Sequence, residues 1–554
     1  MESHYRKVLH DTEEWVIDGL RTQERDKSSK IFGAFYDRNR MVQAKYSLYR
    51  ISYEISCYLN EDSRFFGDEK IYESIVNGLK YVRSVQHENG LFDYITCNFF
   101  SAPDTAFIIG IILPHLDYLR EKKSLNEKET AIKDMLEDIF HDGVYGLLEG
   151  GFHTPNHRWA IASLLCKGYK MYGDEKLKAA AFEYLKEGID CNEDGEYAEK
   201  SAGNYNGVNN DAMILLSESL GDDTYDKNAV RNLELMLIYT EPDDSIFTAN
   251  STRFDKDLLV YPTNYYLEYL KMGLKYNIPK FLAMCNRIME IVDEKRVDAP
   301  DILIWFMLRP DLRAANLEGS YRQSDFKRYC SWSGIYRARK GNFTYTVMNG
   351  KSNFLYFHDG TIKLALKVAG SFCEHRAFIG KDMEVLPDGT IHLSQVMRGW
   401  YYLPFPKDQL PGTTDWWQMN NPEKRPKKWG PDMHIDVYIT EAEGGIDVRV
   451  KTSGVVGAPF RIEAAFTGID FMQNEHLAMP VCGDEVLVVK DGTLEAYNTR
   501  DSITVGPCFG LHRFTEGKED SELKTAGAAT LYLTDYTEFD RTIKIRNKRD
   551  EEGF

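Results

Sequence analysis

Asn156, His157 and Arg158 follow one another directly behind Thr154-Pro155, and Tyr205 comes one repeat later, inside Gly203-Asn204-Tyr205-Asn206-Gly207. A proline followed by asparagine can open a helix by capping, which by itself accounts for Asn156. Capping does not ask for a histidine and an arginine in the next two places. Three side chains with donors at a helix N-terminus, where the macrodipole is positive, make a receptor for an anion. Glycines on both sides of Tyr205 suggest a tight loop that presents the ring. Such a tyrosine either packs or, flanked by the amides of Asn204 and Asn206, moves a proton. Arg253 and Tyr261 lie in the same tier of loops as candidate substrate contacts, and Glu199 there reads as a solvated charge.

A hydrolytic site would instead need two carboxylates across a scissile bond. Asp104, Asp142, Glu149, Glu199 and Asp211 are available, with Asp104 and Asp211 at helix starts where they look like caps.

A second group of residues lies far along the chain. Arg398-Gly399-Trp400-Tyr401-Tyr402 runs through Trp416-Trp417 to Trp429, interleaved with Lys424, Arg425, Lys427 and Lys428. Aromatic faces stack on pyranose rings, and the basic residues would draw an anionic sugar. The alternative is that this segment glues its domain to a neighbour. His358, His375 and His392 fall on or near predicted strands; His358 and His375 are the candidates for joining a site.

The elements that must position these residues begin with a repeat. Asn89-Gly90-Leu91-Phe92, Asp142-Gly143-Val144-Tyr145, Asp194-Gly195-Glu196-Tyr197 and a degenerate Asp244-Ser245-Ile246-Phe247 share a turn-then-aromatic pattern, with a weaker copy at Gly33-Ala34-Phe35. The period is roughly fifty residues, enough for two helices and their connections. One helix of each pair is apolar nearly all round and the other, as in 175–189 or 278–294, is two-faced. This predicts an (α/α) toroid of about five to six hairpins with its loops gathered at one mouth, an open solenoid being the alternative. From about Ile335 the pattern turns to short alternating runs separated by Asn349-Gly350, Asp359-Gly360, Asp388-Gly389 and Asp491-Gly492, which predicts a large antiparallel β-sandwich. The expected domains are 1–320 and 321–554.

Composition limits the partners. Of 554 residues, 68 are Lys or Arg and 86 Asp or Glu, a net charge of −18 that argues against nucleic-acid binding. Aromatic residues reach 13%, which suits either helix interfaces or a sugar-stacking surface. The nine cysteines are scattered without a CxxC pair, so neither a disulfide framework nor a thiolate metal site is signalled. No signal-type N-terminus and no apolar run of spanning length occur, so a cytoplasmic chain with no membrane partner is expected. Neither a cofactor nor a metal is expected, and the oligomeric state is open.

A helical toroid followed by a β-sandwich, with Asn156-His157 at one loop and Tyr205 a repeat later, resembles the heparinase II/III-like polysaccharide lyases and their alginate-lyase relatives. Members of that family usually bring a further histidine in a His-x-His-x-Asp stretch; here Phe357-His358-Asp359 is the nearest match, with His375 second. The resemblance implies β-elimination at a uronic acid in an acidic oligosaccharide. Asn156 and Arg158 would stabilise the carboxylate, and His157 and Tyr205 would divide the proton transfers. Tyr205 would be the acid, and His157 or Tyr205 the base. With a cytoplasmic address, cleavage from a chain end is expected. An unsaturated-uronyl hydrolase and a non-catalytic sugar-binding protein are the alternatives.

Overall fold

The computed structural model describes residues 1–513 and 523–548. It divides into two units, Met1–Thr240 with Asp244–Gln323, and Ser324 onward with the short segment Glu241–Asp243.

The first unit is helical: α1 (Glu2–Thr22), α2 (Ala44–Leu59), α3 (Glu69–Ser84), α4 (Ala102–Glu121), α5 (Glu127–Gly146), α6 (Pro155–Tyr172), α7 (Glu175–Leu185), α8 (Tyr205–Leu220), α9 (Asp226–Ile238), α10 (Tyr266–Lys275), α11 (Pro279–Lys295), α12 (Leu303–Leu308) and α13 (Pro310–Arg313). Helix starts carry their own signals. Asp68, Ser101 and Asp174 accept backbone N–H groups at the heads of α3, α4 and α7, and Asn126 with Glu129 closes a capping box on α5. α2, α4, α6 and α8 pack in succession, each also against the helix that follows it. The inner α4 buries Ile108, Ile109, Ile112, Leu113 and Leu116, residues on more than one face, whereas its partner α5 buries one stripe of Ile132, Leu136, Ile139 and Phe140. That is the inner and outer row of an (α/α) toroid.

Glycines set the spacing between hairpins. Gly33, Gly90 and Gly195 have φ of 89°, 83° and 91°. A Cβ on each would strike a backbone carbonyl of the next outer helix, that of Asn77 on α3, Asp142 on α5 and Arg231 on α9. In the degenerate copy Asp244 takes the left-handed conformation at φ 67° and pairs with Arg287 on α11 (Nε to Oδ1 3.0 Å). The copy read at Asp142-Gly143-Val144-Tyr145 is not a turn: it lies inside α5 and is the surface that receives Gly90. Gly143 is small there because α4 presses on it, with Ile109 Cγ2 only 2.6 Å from where its Cβ would be.

The second unit holds two nine-stranded sheets. One includes Phe343–Met348, Asn353–Asp359, Ile362–Phe372, Pro459–Thr467 and Ala529–Tyr536; the other includes Asp382–Val385, Ile391–Tyr402, Lys427–Ala442, Gly445–Ser453 and Asp540–Asn547. Pairing is antiparallel except that Val486–Val488 runs parallel to Ala529–Tyr536. Alternate residues such as Val347, Phe357, Leu366 and Ile462, with Leu393, Ile435, Val448 and Ile543, form one buried core. The hairpin glycines Gly350, Gly360, Gly389 and Gly492 all have positive φ. Strands Ile391–Tyr402 and Lys427–Ala442 outrun their neighbours: Asp382–Val385 pairs only as far as Ser394, and Gly445–Ser453 only from His434. Beyond those points they continue as a two-stranded ribbon. None of the nine cysteines is in a disulfide among the described residues, and no described helix is long and apolar enough to cross a membrane.

Candidate active site

Three connections of the helical unit bring polar side chains together. Pro155 opens α6, which fixes Asn156 in its first turn, fully buried. Asn156 Nδ2 donates to Glu199 Oε2 at 2.6 Å and to Thr154 Oγ1 at 3.1 Å. Both of its amide hydrogens are thereby used. Glu199 is not the solvated charge expected of it. It is 4% exposed, and its second oxygen faces Arg253 Nε at 3.3 Å. The guanidinium carbon of Arg253 lies over the Tyr205 ring, 5.3 Å from the centroid, and Phe254 meets that ring edge-on at 5.8 Å. Asn156, Glu199, Arg253 and Tyr205 therefore form one connected group.

Asp255 ties the two loops that carry this group. It is buried and accepts from Ser201 Oγ at 2.8 Å, Gly203 N at 2.8 Å and Ser251 Oγ at 2.6 Å. Ser201 Oγ also receives the backbone N–H of Tyr205 at 3.1 Å. The first residue of α8 and the loop of Arg253 are thus anchored to one carboxylate. Gly203 must lack a side chain, because a Cβ would lie 2.9 Å from Asp255 Oδ2.

His157 borders the group through Arg253. Burial pushes its pKa down to about 4; Asp104 pulls it back, and His153, Arg253 and Lys45 push it further down. Its ring stands edge-on to Phe107 at 5.8 Å, and Lys45 Nζ lies 5.0 Å from the Phe107 centroid on the other side. Nδ1 accepts the N–H of His153 at 3.3 Å, which assigns the hydrogen of the neutral ring to Nε2. His157 is thus a neutral donor at ordinary pH.

Other expected residues are placed elsewhere. Arg158 turns to Glu187 (2.7 Å) and lies over Trp159, 4.4 Å from its centroid, so it does not join the Glu199 group. Consecutive helix residues point about 100° apart, so Arg158 and His157 do not address one anion. Asn204 stands at the N-cap position of α8 without a side-chain capping bond, while Asn206 is fully buried with Nδ2 near Met236 Sδ at 4.0 Å. Tyr261 is engaged by Lys295 at the end of α11, 5.8 Å from its centroid. Asp104 lies in the first turn of α4, hydrogen-bonded to Ser101 and Asn98. Asp211, expected to be a cap, is in the second turn of α8; solvent reaches it, yet the surrounding protein pushes its pKa up to about 6.

In the second unit His358 is 3% exposed, with Nδ1 3.2 Å from Glu241 and Nε2 3.8 Å from Asp243. Glu241 also takes Arg337 at 2.8 Å and Thr344 at 2.6 Å. Burial pushes Glu241 up, but Arg337 and His358 outweigh it and hold the carboxyl well below its ordinary range. His358 is therefore buried beside the carboxylates of Glu241 and Asp243 rather than open to a ligand. His375 is partly exposed, with Nε2 3.3 Å from the Arg398 carbonyl. His392 is clamped by Glu384 and Asp436, each at 2.9 Å. Trp400 and Tyr401 end one ribbon strand, and Trp416 and Trp417 begin a short helix, Trp416–Asn420, in the connecting segment. The sequence showed no metal-ligand cluster in this unit. The structure sets Glu475, His476 and Asp491 together on two turns, all exposed, with ligand atoms within 4.8 Å of one another.

Sequence reasoning placed Glu199 in the right tier of loops but in solvent, and missed Asp255. No local pattern marks which carboxylate in a loop tier is buried, because the partners that bury it arrive from another repeat.

No family model matches the chain, and no curated protein does. Among solved structures, a xanthan lyase from Paenibacillus superposes on all of this chain with a TM-score of 0.57 and 9% identity. A chondroitin AC lyase from Streptomyces coelicolor A3 does so with a TM-score of 0.51 and 11% identity. The chain spans 57% of the first enzyme's length and 80% of the second's. At such identities the likeness is one of fold, and over its whole length the chain is similar in fold to polysaccharide lyases built from an α/α toroid and a β domain.

Proposed function

We propose that this chain is a lyase that cleaves uronate-containing oligosaccharides or polysaccharides by β-elimination at the mouth of its toroid. The observation that carries the reading is Arg253, held by Glu199 while its guanidinium covers the ring of Tyr205. A uronate C5 proton is weakly acidic, because its removal puts charge beside a carboxylate. Arg253 retains donors beyond the Nε that faces Glu199, and with the Nε2–H of His157 it would receive that carboxylate and the charge spreading into it. This assigns to Arg253 the part that the resemblance implied for Arg158. Asn156 becomes a positioning residue that holds Glu199.

Tyr205 would move the proton. Entering the step as a phenolate, its oxygen takes the C5 hydrogen; the C5–H electron pair forms the C4=C5 double bond; the C4–O bond breaks with its electron pair passing to the glycosidic oxygen. The same tyrosine then returns the proton to the departing oxygen. His157 stays neutral and donates. The test is an ultraviolet screen for unsaturated uronyl products against a panel of uronate oligosaccharides, with the product size distribution separating chain-end from internal cleavage. No absorbing product from any member would overturn the reading.

A hydrolase reading has one observation in its favour. Burial raises the carboxyl of Glu268 well above its usual range, with Asp211 adding to the rise, which is the environment of a general acid. Hydrolysis would incorporate labelled solvent oxygen into the product and create no double bond.

A further inference from the structure

The two-stranded ribbon carries a patch that the toroid chemistry does not use. Its water-facing side presents Arg398, Trp400 and Tyr402 from one strand and Lys427 and Trp429 from the other, while Met397 and Met433 on the opposite side are buried in the core. The register sets Trp400 opposite Trp429 and Tyr402 opposite Lys427. Trp400 and Tyr402 meet at 4.5 Å between centroids, inclined at 67°. Lys427 Nζ stands 4.1 Å from the Trp400 centroid and 5.9 Å from that of Trp429. Arg398 lies 5.7 Å from the Trp429 centroid, fixed there by two 2.7 Å bonds to Asp432. Neither Lys427 nor Lys428 forms an ion pair among the described residues. Trp429 is 58% exposed, and Trp416 and Trp417 in the connecting segment are 59% and 81% exposed.

The exposed indoles of Trp416, Trp417 and Trp429, gathered beside a lysine that rests on the rings, are costly to keep without a ligand. Flat rings stack on the C–H faces of pyranoses, and a fixed guanidinium with an ammonium that has no carboxylate partner complements a carboxylate on the same sugar. We propose that this ribbon face is a binding surface for an acidic oligosaccharide, one that holds the glycan without reacting with it. Two other occupants fit less well. An anionic bilayer would be repelled by Asp432 within the patch and by Asp415 and Glu423 beside it. A second copy of the chain would set Lys427 and Lys428 against the same cations of its partner.

The experiment titrates the full chain carrying Tyr205→Phe with tetrasaccharides of galacturonate, alginate and unsulfated chondroitin, and with cellotetraose as the uncharged control. Tryptophan fluorescence and calorimetry report binding. At least one acidic tetrasaccharide is expected to bind, and the double substitution Trp400→Ala/Trp429→Ala to weaken it about tenfold or more at unchanged melting temperature. Lys427→Gln is expected to weaken the acidic ligand while leaving cellotetraose unaffected; it keeps the rings and so stands in if the double variant unfolds. The proposal is overturned by no binding, by equal binding of all variants, or by patch substitutions that abolish dimerisation or vesicle binding in place of sugar binding. Elimination surviving Tyr205→Phe would sink the lyase reading and leave this titration intact.

Discussion

Arg253 spreads its guanidinium over the ring of Tyr205 at 5.3 Å from the centroid while its Nε faces Glu199 at 3.3 Å. One cation therefore couples the candidate proton carrier to a buried carboxylate from the preceding loop. The pair is prearranged: Glu199 is itself held by Asn156, and the arginine's loop by Asp255.

Tyr205→Phe should leave the melting temperature unchanged, since the phenolic oxygen makes no hydrogen bond among the described residues. Elimination should fall about 10²–10⁴-fold, the usual contribution of a placed proton-transfer group. Retention of near wild-type product absorbance in the variant would refute the assignment.

Glu199→Ala should destabilise the chain by roughly 3 kcal/mol, because the Asn156 amide and the Arg253 guanidinium both lose a buried partner. Glu199→Gln keeps an acceptor for Asn156 and should cost less. Denaturant midpoints for the two variants provide the comparison, and equal losses would show that the charge facing Arg253, not the acceptor for Asn156, carries the stability.

Glu54 on α2 is fully buried and accepts Ser74 Oγ at 2.8 Å; burial pushes its pKa up to about 8. A raised acid favours the folded state when protonated. Its contribution is complete below about 4.5 and is lost as pH rises through about 8. Glu54→Gln should therefore melt higher than wild type at pH 8 and match it near pH 5. Melting curves at the two values decide the matter.

His157 should titrate near pH 4 rather than 6.5 in an NMR titration of the folded chain. A histidine depressed in this way costs nothing above its unfolded value and destabilises progressively as pH falls through 6.5 toward 4. His4 and His115 are pushed down to about 4 by burial in the same manner, so acid stability should recover only partly in His157→Asn. Elimination should show no inflection near 6.5 arising from this ring.

Gly90→Ala forces a Cβ onto the Asp142 carbonyl at a positive φ and should destabilise by more than about 2 kcal/mol. Gly67→Ala, at a positive φ with open space around it, should cost less. Parallel thermal melts make the comparison.

The two-part architecture was legible in the sequence because periodicity survives averaging: a 3.6-residue stripe in one half, a two-residue alternation with positive-φ turns in the other. The misread repeat at Gly143 shows where that ends. A glycine needed for close helix packing and one needed for a left-handed turn are written with the same letter. Arg158 could have been set aside from helix geometry alone, since adjacent positions face different ways. Glu199 could not. Its burial depends on Asn156 and Arg253, each distant in sequence, and only the folded chain brings them to it.

The glycines at 33, 90 and 195 fasten the opening stretch of each long connection to the neighbouring hairpin's spine. What remains of the connection, down to the next inner helix, is held by contacts of its own, as Glu199 and Ser201 are after Gly195. Those contacts run from loop to loop and leave the glycine seam to the neighbouring hairpin untouched. A scaffold stitched in this way separates the inheritance of shape from the inheritance of reactivity, and new specificities can be tried on it one loop at a time.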